Sequence, residues 1–245
     1  MAAVRIGTAG WTIPRAHADQ VTGTGSHLER YGQRFTCAEI NSTFYRPSRE
    51  STWARWRESV PEDFRFSVKA PKTVTHEAAL ETTDAIRAAL AAFLTQARLL
   101  GPKLGPLLFQ LPPKQSFQAE RARTFFEYFR TLHSGPVVLE PRHATWFSDE
   151  PESLLRSLQV SRAAADPAPV PQAAVPGGSA SPVYYRLHGS PRKYYSEYSH
   201  NSLRRLAAEL RSHSDETEAW VIFDNTASGA ALGNALTLSE IIAAG

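Results

Sequence analysis

The stretch FRFSVKAPKTVTHEAALETTDAIRAALAAFLTQARLLGPKLGPLLFQL, residues 64–111, decides the fold. It opens on a short apolar run, 64–69, and closes on another, 106–111. Between them Ile86, Leu90, Phe93, Ala97 and Leu100 fall on one face at the helical period, until Gly101-Pro102 stops the helix. Strand, helix and strand in that order form a unit whose strands lie parallel with a right-handed crossover.

The same rhythm runs outward in both directions. Further apolar runs at 4–8, 35–41, 136–140, 160–165, 183–188 and 220–224 read as strands. Residues 48–59 supply a helix with Trp53 and Trp56 on one side. Ala122, Phe125, Phe126, Phe129 and Leu132 mark another, and Ser148 stands as an N-cap before Asp149 and Glu150. Leu203, Leu206, Ala207 and Leu210 mark the next, then Leu232, Ala235 and Leu236 the last. Eight strands alternating with helices predict an α/β chain, a single TIM-like (β/α)8 barrel domain spanning 1–245. An open doubly wound sheet is the alternative. The first turn, Gly7-Thr8-Ala9-Gly10-Trp11, lacks the glycine-rich fingerprint of a dinucleotide site. Residues 163–182, AAADPAPVPQAAVPGGSASP, hold five prolines and predict a loop replacing much of the sixth helix.

Composition narrows the class. With 42% hydrophobic residues over 245 positions, the chain can bury a core of its own and is not intrinsically disordered. A net charge of +3 from dispersed bases gives little support to a nucleic-acid surface. One cysteine, Cys37, excludes an internal disulfide and reads as a core thiol. No apolar stretch is long enough for a spanning helix and the amino terminus carries no secretory pattern, so a cytoplasmic protein without a membrane partner is expected.

Charge gathers at the carboxyl ends of the strands, where barrels carry their sites. Glu39, Lys69, Glu140, Arg186, His188 and Asp224 all stand there, with Asn41, Gln110, Arg142, His143 and Asn225 beside them. Strand parity puts Glu39 and Asn41 on one face and Arg186 and His188 on another. A buried charge needs a partner, so this set predicts a shared polar pocket. Glu39, Glu140, His188 and Asp224 are the candidate acid–base groups. Asn41, Lys69, Gln110, Arg142, His143, Arg186 and Asn225 are the candidate ligand contacts, with Trp11 and Tyr45 as aromatic walls. The four acid–base candidates also make a zinc or manganese set on paper, although no metal or cofactor motif requires one.

Seven ordered blocks resemble the YecE-like family, domain of unknown function 72. They are GTAGW at 7–11, EINSTFYR at 39–46, FRFSVKAPKTVTH at 64–76, LGPLLFQLPP at 104–113, EPRHATWF at 140–147, YYRLHG at 184–189 and IFDNTASGAALGNAL at 222–236. Membership implies a TIM-barrel-like fold and assigns no reaction. Two functions stay open. The first is an enzyme acting on a small phosphorylated or carboxylated metabolite, with Lys69, Arg142 and Arg186 as clamps. The second is a non-catalytic barrel that binds a ligand or nucleic acid through Arg192, Lys193, Arg204 and Arg205.

Overall fold

Alternating buried runs and amphipathic helices organise residues 3–244, the part described by the computed structural model; residues 1–2 and 245 of the sequence reading lie outside it. The strands are β1 (Ala3–Thr8), β2 (Cys37–Ile40), β3 (Arg65–Lys69), β4 (Leu104–Gln110), β5 (Val137–Glu140), β6 (Val160–Arg162), β7 (Ala164–Asp166), β8 (Gly177–Gly178), β9 (Val183–Leu187) and β10 (Glu218–Phe223). The helices are α1 (His27–Gly32), α2 (Glu50–Glu58), α3 (Asp84–Ala97), α4 (Ala119–Leu132), α5 (Asp149–Ser157), α6 (His200–Ser212) and α7 (Ala230–Ala243). One sheet runs β1-β10-β9-β7, all parallel. The other runs β2-β3-β4-β5-β6 in parallel, with β8 antiparallel on its edge. This is an α/β fold built on parallel sheets.

Burial on both faces explains why the strands read as continuous apolar runs. In the deciding stretch, the Thr83 hydroxyl accepts from Ile86 N and starts α3. Ile86, Leu90, Phe93, Leu94 and Ala97 are its buried face. Gly101, at φ 56°, turns the chain back so tightly that β4 begins at Leu104, two residues before the expected run. On α4, Phe125, Phe126 and Phe129 pack around Phe109 of β4 at 4.9–5.9 Å between centroids. Each such ring buried contributes about 1.5–3 kcal/mol.

Three expectations change. Residues 160–165 are two strands, because Ala163 breaks the run: β6 pairs with β5, and β7 pairs with β9 in the other sheet. The proline-rich stretch thus opens as strand β7, then holds a single 3-10 turn (Pro171–Ala174) and β8. Ser148 occupies the N-cap of α5 but makes no side-chain cap bond.

The two sheets meet at β1 and β2 through one parallel bridge, Ala9 to Glu39, with Gly10 N donating to Glu39 O at 2.9 Å. Beside it the Tyr31 hydroxyl stands in for a ladder bond. It accepts from Thr8 N at 2.8 Å and donates to Cys37 O at 3.0 Å. A Cβ on Gly7 would lie 2.0 Å from that Cys37 carbonyl, so no other residue fits there. Cys37 is fully buried, and burial pushes its thiol up, as a core role requires. Among the described residues no helix is long and apolar enough to cross a membrane.

Candidate functional site

Arg186, second from the end of β9, is the centre of the site. It is fully buried, and its guanidinium reaches three carboxylates. Nε and Nη2 donate to the two Glu39 oxygens at 3.0 and 2.6 Å, a bidentate pair. Nη1 donates to Glu140 at 2.6 Å, and Nη2 also to Asp224 at 3.2 Å. Such planar, multiply bonded geometry is what lets a charge survive out of water. Burial alone would lower the Arg186 pKa, but Glu39, Glu140 and Asp224 hold it well above the usual arginine value.

Parity continues the cluster along β9. Tyr184 and His188 share the Arg186 face. The Tyr184 hydroxyl donates to Glu39 at 2.9 Å and lies 2.8 Å from Ser67 Oγ of β3. His188 sits between two acids, Nε2 at 2.8 Å from Glu140 and Nδ1 at 2.9 Å from Asp224. Glu140 also receives Arg142 Nη2 at 2.7 Å and Gln110 Nε2 at 2.9 Å. Burial would raise this carboxyl, but Arg186, Arg142 and His188 hold it well below the usual range. Asp224 follows the same balance, burial against Arg186 and His188, and is also lowered.

The outer edge is different in kind. Lys69 ends β3 with only 9% of its surface exposed, yet its ammonium has no hydrogen bond or ion pair among the described residues. It sits over the Phe44 ring at 4.1 Å. Burial, reinforced by the positive charge of Arg186, brings its pKa down to about 8. A π-helical turn, Thr73–Glu77, carries His76 edge-on to the same Phe44 ring at 4.9 Å. Burial and then the charges of Lys69 and Arg142 lower its pKa. Arg142 is 11% exposed and leaves its Nε without an acceptor. Half-buried Lys193 lies 5.2 Å from the Tyr194 ring, and Tyr194 packs edge-on to His188.

Of the expected site residues, Glu39, Gln110, Glu140, Arg142, Arg186, His188 and Asp224 form one bonded network, with Lys69 at its rim. Their expected roles need correction. Arg186 spends its donors on three acids and offers none to a ligand. Glu39 and Glu140 are equally spent, so neither is a free base. Asn225 is buried away from the network, its amide donating to Ser196 O and Asn234 Oδ1 at 2.9 Å each. His143 accepts from Thr145 N and holds its own turn. Tyr45 is 73% exposed and borders a groove with Phe44, Pro47 and Phe93. Trp11 and Asn41 line a separate cleft of about 370 Å³ with Thr12, His27, Glu39 and Trp56. Among the described residues no group of three or more His, Cys, Asp or Glu is arranged to hold a metal ion. In the network the Arg186 guanidinium bonds to Glu39, Glu140 and Asp224.

Tyr184 was missed, although its position two residues before Arg186 was a readable signal. Lys193 is read from the sequence only as part of a binding stripe, and His76 follows the third strand within reach of the mouth; a loop and a turn bring the two to the rim.

Comparison with known proteins agrees with the fold. Residues 5–245 match the family model described as protein of unknown function DUF72. The UPF0759 protein YecE of Escherichia coli K12 is 32% identical over 173 residues, covering 68% of this chain but only 60% of that relative. The UPF0759 protein YunF of Bacillus subtilis is 22% identical, covering 98% of this chain and 94% of its own. A crystal structure of a DUF72 family protein from Thermotoga maritima superposes with a TM-score of 0.79 at 22% identity, over 98% of this chain and 99% of that one.

Proposed function

The chain belongs to the DUF72 family, and from the geometry of its site we propose that it is an enzyme acting on a small anionic metabolite at the mouth of a closed barrel. In this reading the two sheets make one ring of eight strands, with β6 and β7 counted as one broken strand and the proline-rich stretch in place of a helix. The pairing of β1 with β10, the Ala9–Glu39 bridge and the bond from Ala163 N to Leu139 O support it. The carboxyl ends of the strands then face a common mouth.

The observation that carries the function is a separation of charge by depth. Below, every carboxylate is consumed by Arg186, Arg142 or His188. Above, Lys69 and Lys193 have no hydrogen bond or ion pair among the described residues and Arg142 leaves Nε without an acceptor, so the rim attracts anions. Arg142, its Nη2 held on Glu140, meets a phosphate or carboxylate with the donors it has left, and Lys69 and Lys193 add point charges. His188, with a ring nitrogen against each acid, ties Glu140 to Asp224 and helps hold both carboxylates in their charged form. Asp224 is the more exposed of the two acids and lies nearer the rim.

Calorimetric titration with inorganic phosphate tests the anion site. Wild type should bind at micromolar to millimolar affinity, about −4 to −8 kcal/mol, and salt should weaken it. Arg142→Gln and Lys193→Met should each weaken binding. Undiminished binding by the folded double variant overturns the reading.

A further inference from the structure

The chain has five lysines, and they divide by what their amines touch. Lys72 pairs with Glu77 at 3.1 Å. Lys114 is exposed. Lys193 is half-buried against Tyr194. Lys103 is as buried as Lys69, but its Nζ donates to the carbonyls of Arg57 and Val60 at 2.6 Å each. Of the two lysines with only 9% of their surface exposed, Lys69 alone has no hydrogen-bond acceptor among the described residues, and its amine faces the Phe44 ring at 4.1 Å. Desolvating an ammonium without giving it a partner costs stability, and structural lysines avoid it. The arrangement does favour one chemistry, because a desolvated, unpaired amine releases its proton readily and becomes a nucleophile.

We infer that Lys69 forms an imine with the carbonyl carbon of an anionic aldehyde or 2-oxo acid, its carboxylate or phosphate held by Arg142 and Lys193. This rests on the anion site proposed above and names the substrate class that the site takes. The neutral amine's lone pair attacks the carbonyl carbon and forms the C–N bond, while the carbonyl π pair moves to oxygen. The nitrogen loses one proton and the oxygen gains one, giving a carbinolamine. A second proton on the hydroxyl lets it leave as water, and the nitrogen lone pair closes the C=N bond. No oxidant or reductant is needed. His76, packed on the same Phe44 ring, is the rim group nearest in kind to carry these protons. The deeper acids still favour the ammonium, but Arg186 binds all three, and burial together with the Arg186 charge outweighs them at Lys69.

Borohydride trapping reads the step directly. The full-length protein is incubated with pyruvate or glyoxylate, reduced with cyanoborohydride, digested and mapped by mass spectrometry. Hydride addition fixes the imine as a stable secondary amine on the peptide that carries it. At pH 7.5 Lys69 has on the order of a hundredfold more neutral amine than an ordinary lysine, so it should be labelled about tenfold or more faster than Lys72 or Lys114. Lys69→Met and Lys69→Arg, each verified as folded by circular dichroism, should lose that adduct. Phosphate added in excess should slow it in wild type. Labelling no faster at Lys69 than at Lys72 and Lys114 overturns the imine. If phosphate still binds in that case, the anion site stands without it; if phosphate does not bind, the underlying reading falls as well.

Discussion

Lys69 and Lys103 stand on neighbouring strands at opposite ends, one closing β3 and the other immediately preceding β4, and both are 9% exposed. At the Lys103 end the cations are closed locally. Lys103 is bound by two backbone carbonyls, and Arg5 by Glu218 at 2.5 Å and Asp63 O at 2.9 Å. Arg130, likewise, donates to the carbonyls of Gly135 and Leu158. At the Lys69 end the acids are shared among several bases, and one amine is left over. The first end is solved for stability. The second keeps an unsolved group at a cost, which is how sites differ from scaffolds.

The largest effect expected from breaking this comparison is at Arg186. Arg186→Met leaves Glu39, Glu140 and Asp224 buried without their shared cation and should cost about 3–5 kcal/mol or more in denaturant unfolding at pH 7. Glu140 and Asp224 have folded pKa values below their unfolded ones. The stability they contribute is therefore complete above the ordinary carboxylate range and is lost as pH falls toward the folded values. The variant should show a shallower acid decline than wild type. A loss under 1 kcal/mol would mean that the acids find other partners.

A smaller loss should follow Lys103→Met, which strands the Arg57 and Val60 carbonyls: about 1–3 kcal/mol in the same measurement. An unchanged midpoint would place water on those carbonyls and erase the contrast between the two ends.

The smallest effect, and opposite in sign, is expected at Lys69→Met. No hydrogen bond or ion pair is lost, only the cation's contact with the Phe44 ring, and a desolvated charge is removed, so the variant should be equal to or slightly more stable than wild type at pH 7. The lysine's pKa falls from 10.5 unfolded to about 8 folded. Between those values the unfolded state binds the extra proton, so wild type gains stability as pH rises through this window. The variant's advantage should be greatest below pH 8 and vanish above about pH 10.5. Melting curves across that range decide it, and a destabilised variant at pH 7 would reveal a hidden partner for Lys69.

Much of this was legible in the residues. Apolar runs bounded by Gly and Pro located the strands, because strands buried on both faces cannot hide among polar positions. Parity along 184, 186 and 188 pointed one row of side chains inward. What stayed illegible was the pairing. Arg186 meets Glu39 across 147 residues and Glu140 across 46, and nothing local says that it takes all three acids and leaves Lys69 with none. The break at Ala163 was equally invisible, since Ser161, Arg162 and Ala164 read as one run while their ladders go to different sheets. Asn225 sits at a strand end like the true network members, but its amide turns toward Asn234 on α7.

Glu39 belongs to both halves of the molecule at once. Its backbone carbonyl accepts the Gly10 amide at the thinnest joint between the sheets, and its side chain grips Arg186 in the densest knot of charge. Any breathing motion that parts Ala9 from Glu39 must drag the carboxylate away from a buried guanidinium. The seam between the sheets, held by a single parallel bridge, is thus latched electrostatically from inside, where added salt screens little. Exchange of the Gly10 amide with deuterium is therefore a gauge of the charge network as much as of the backbone.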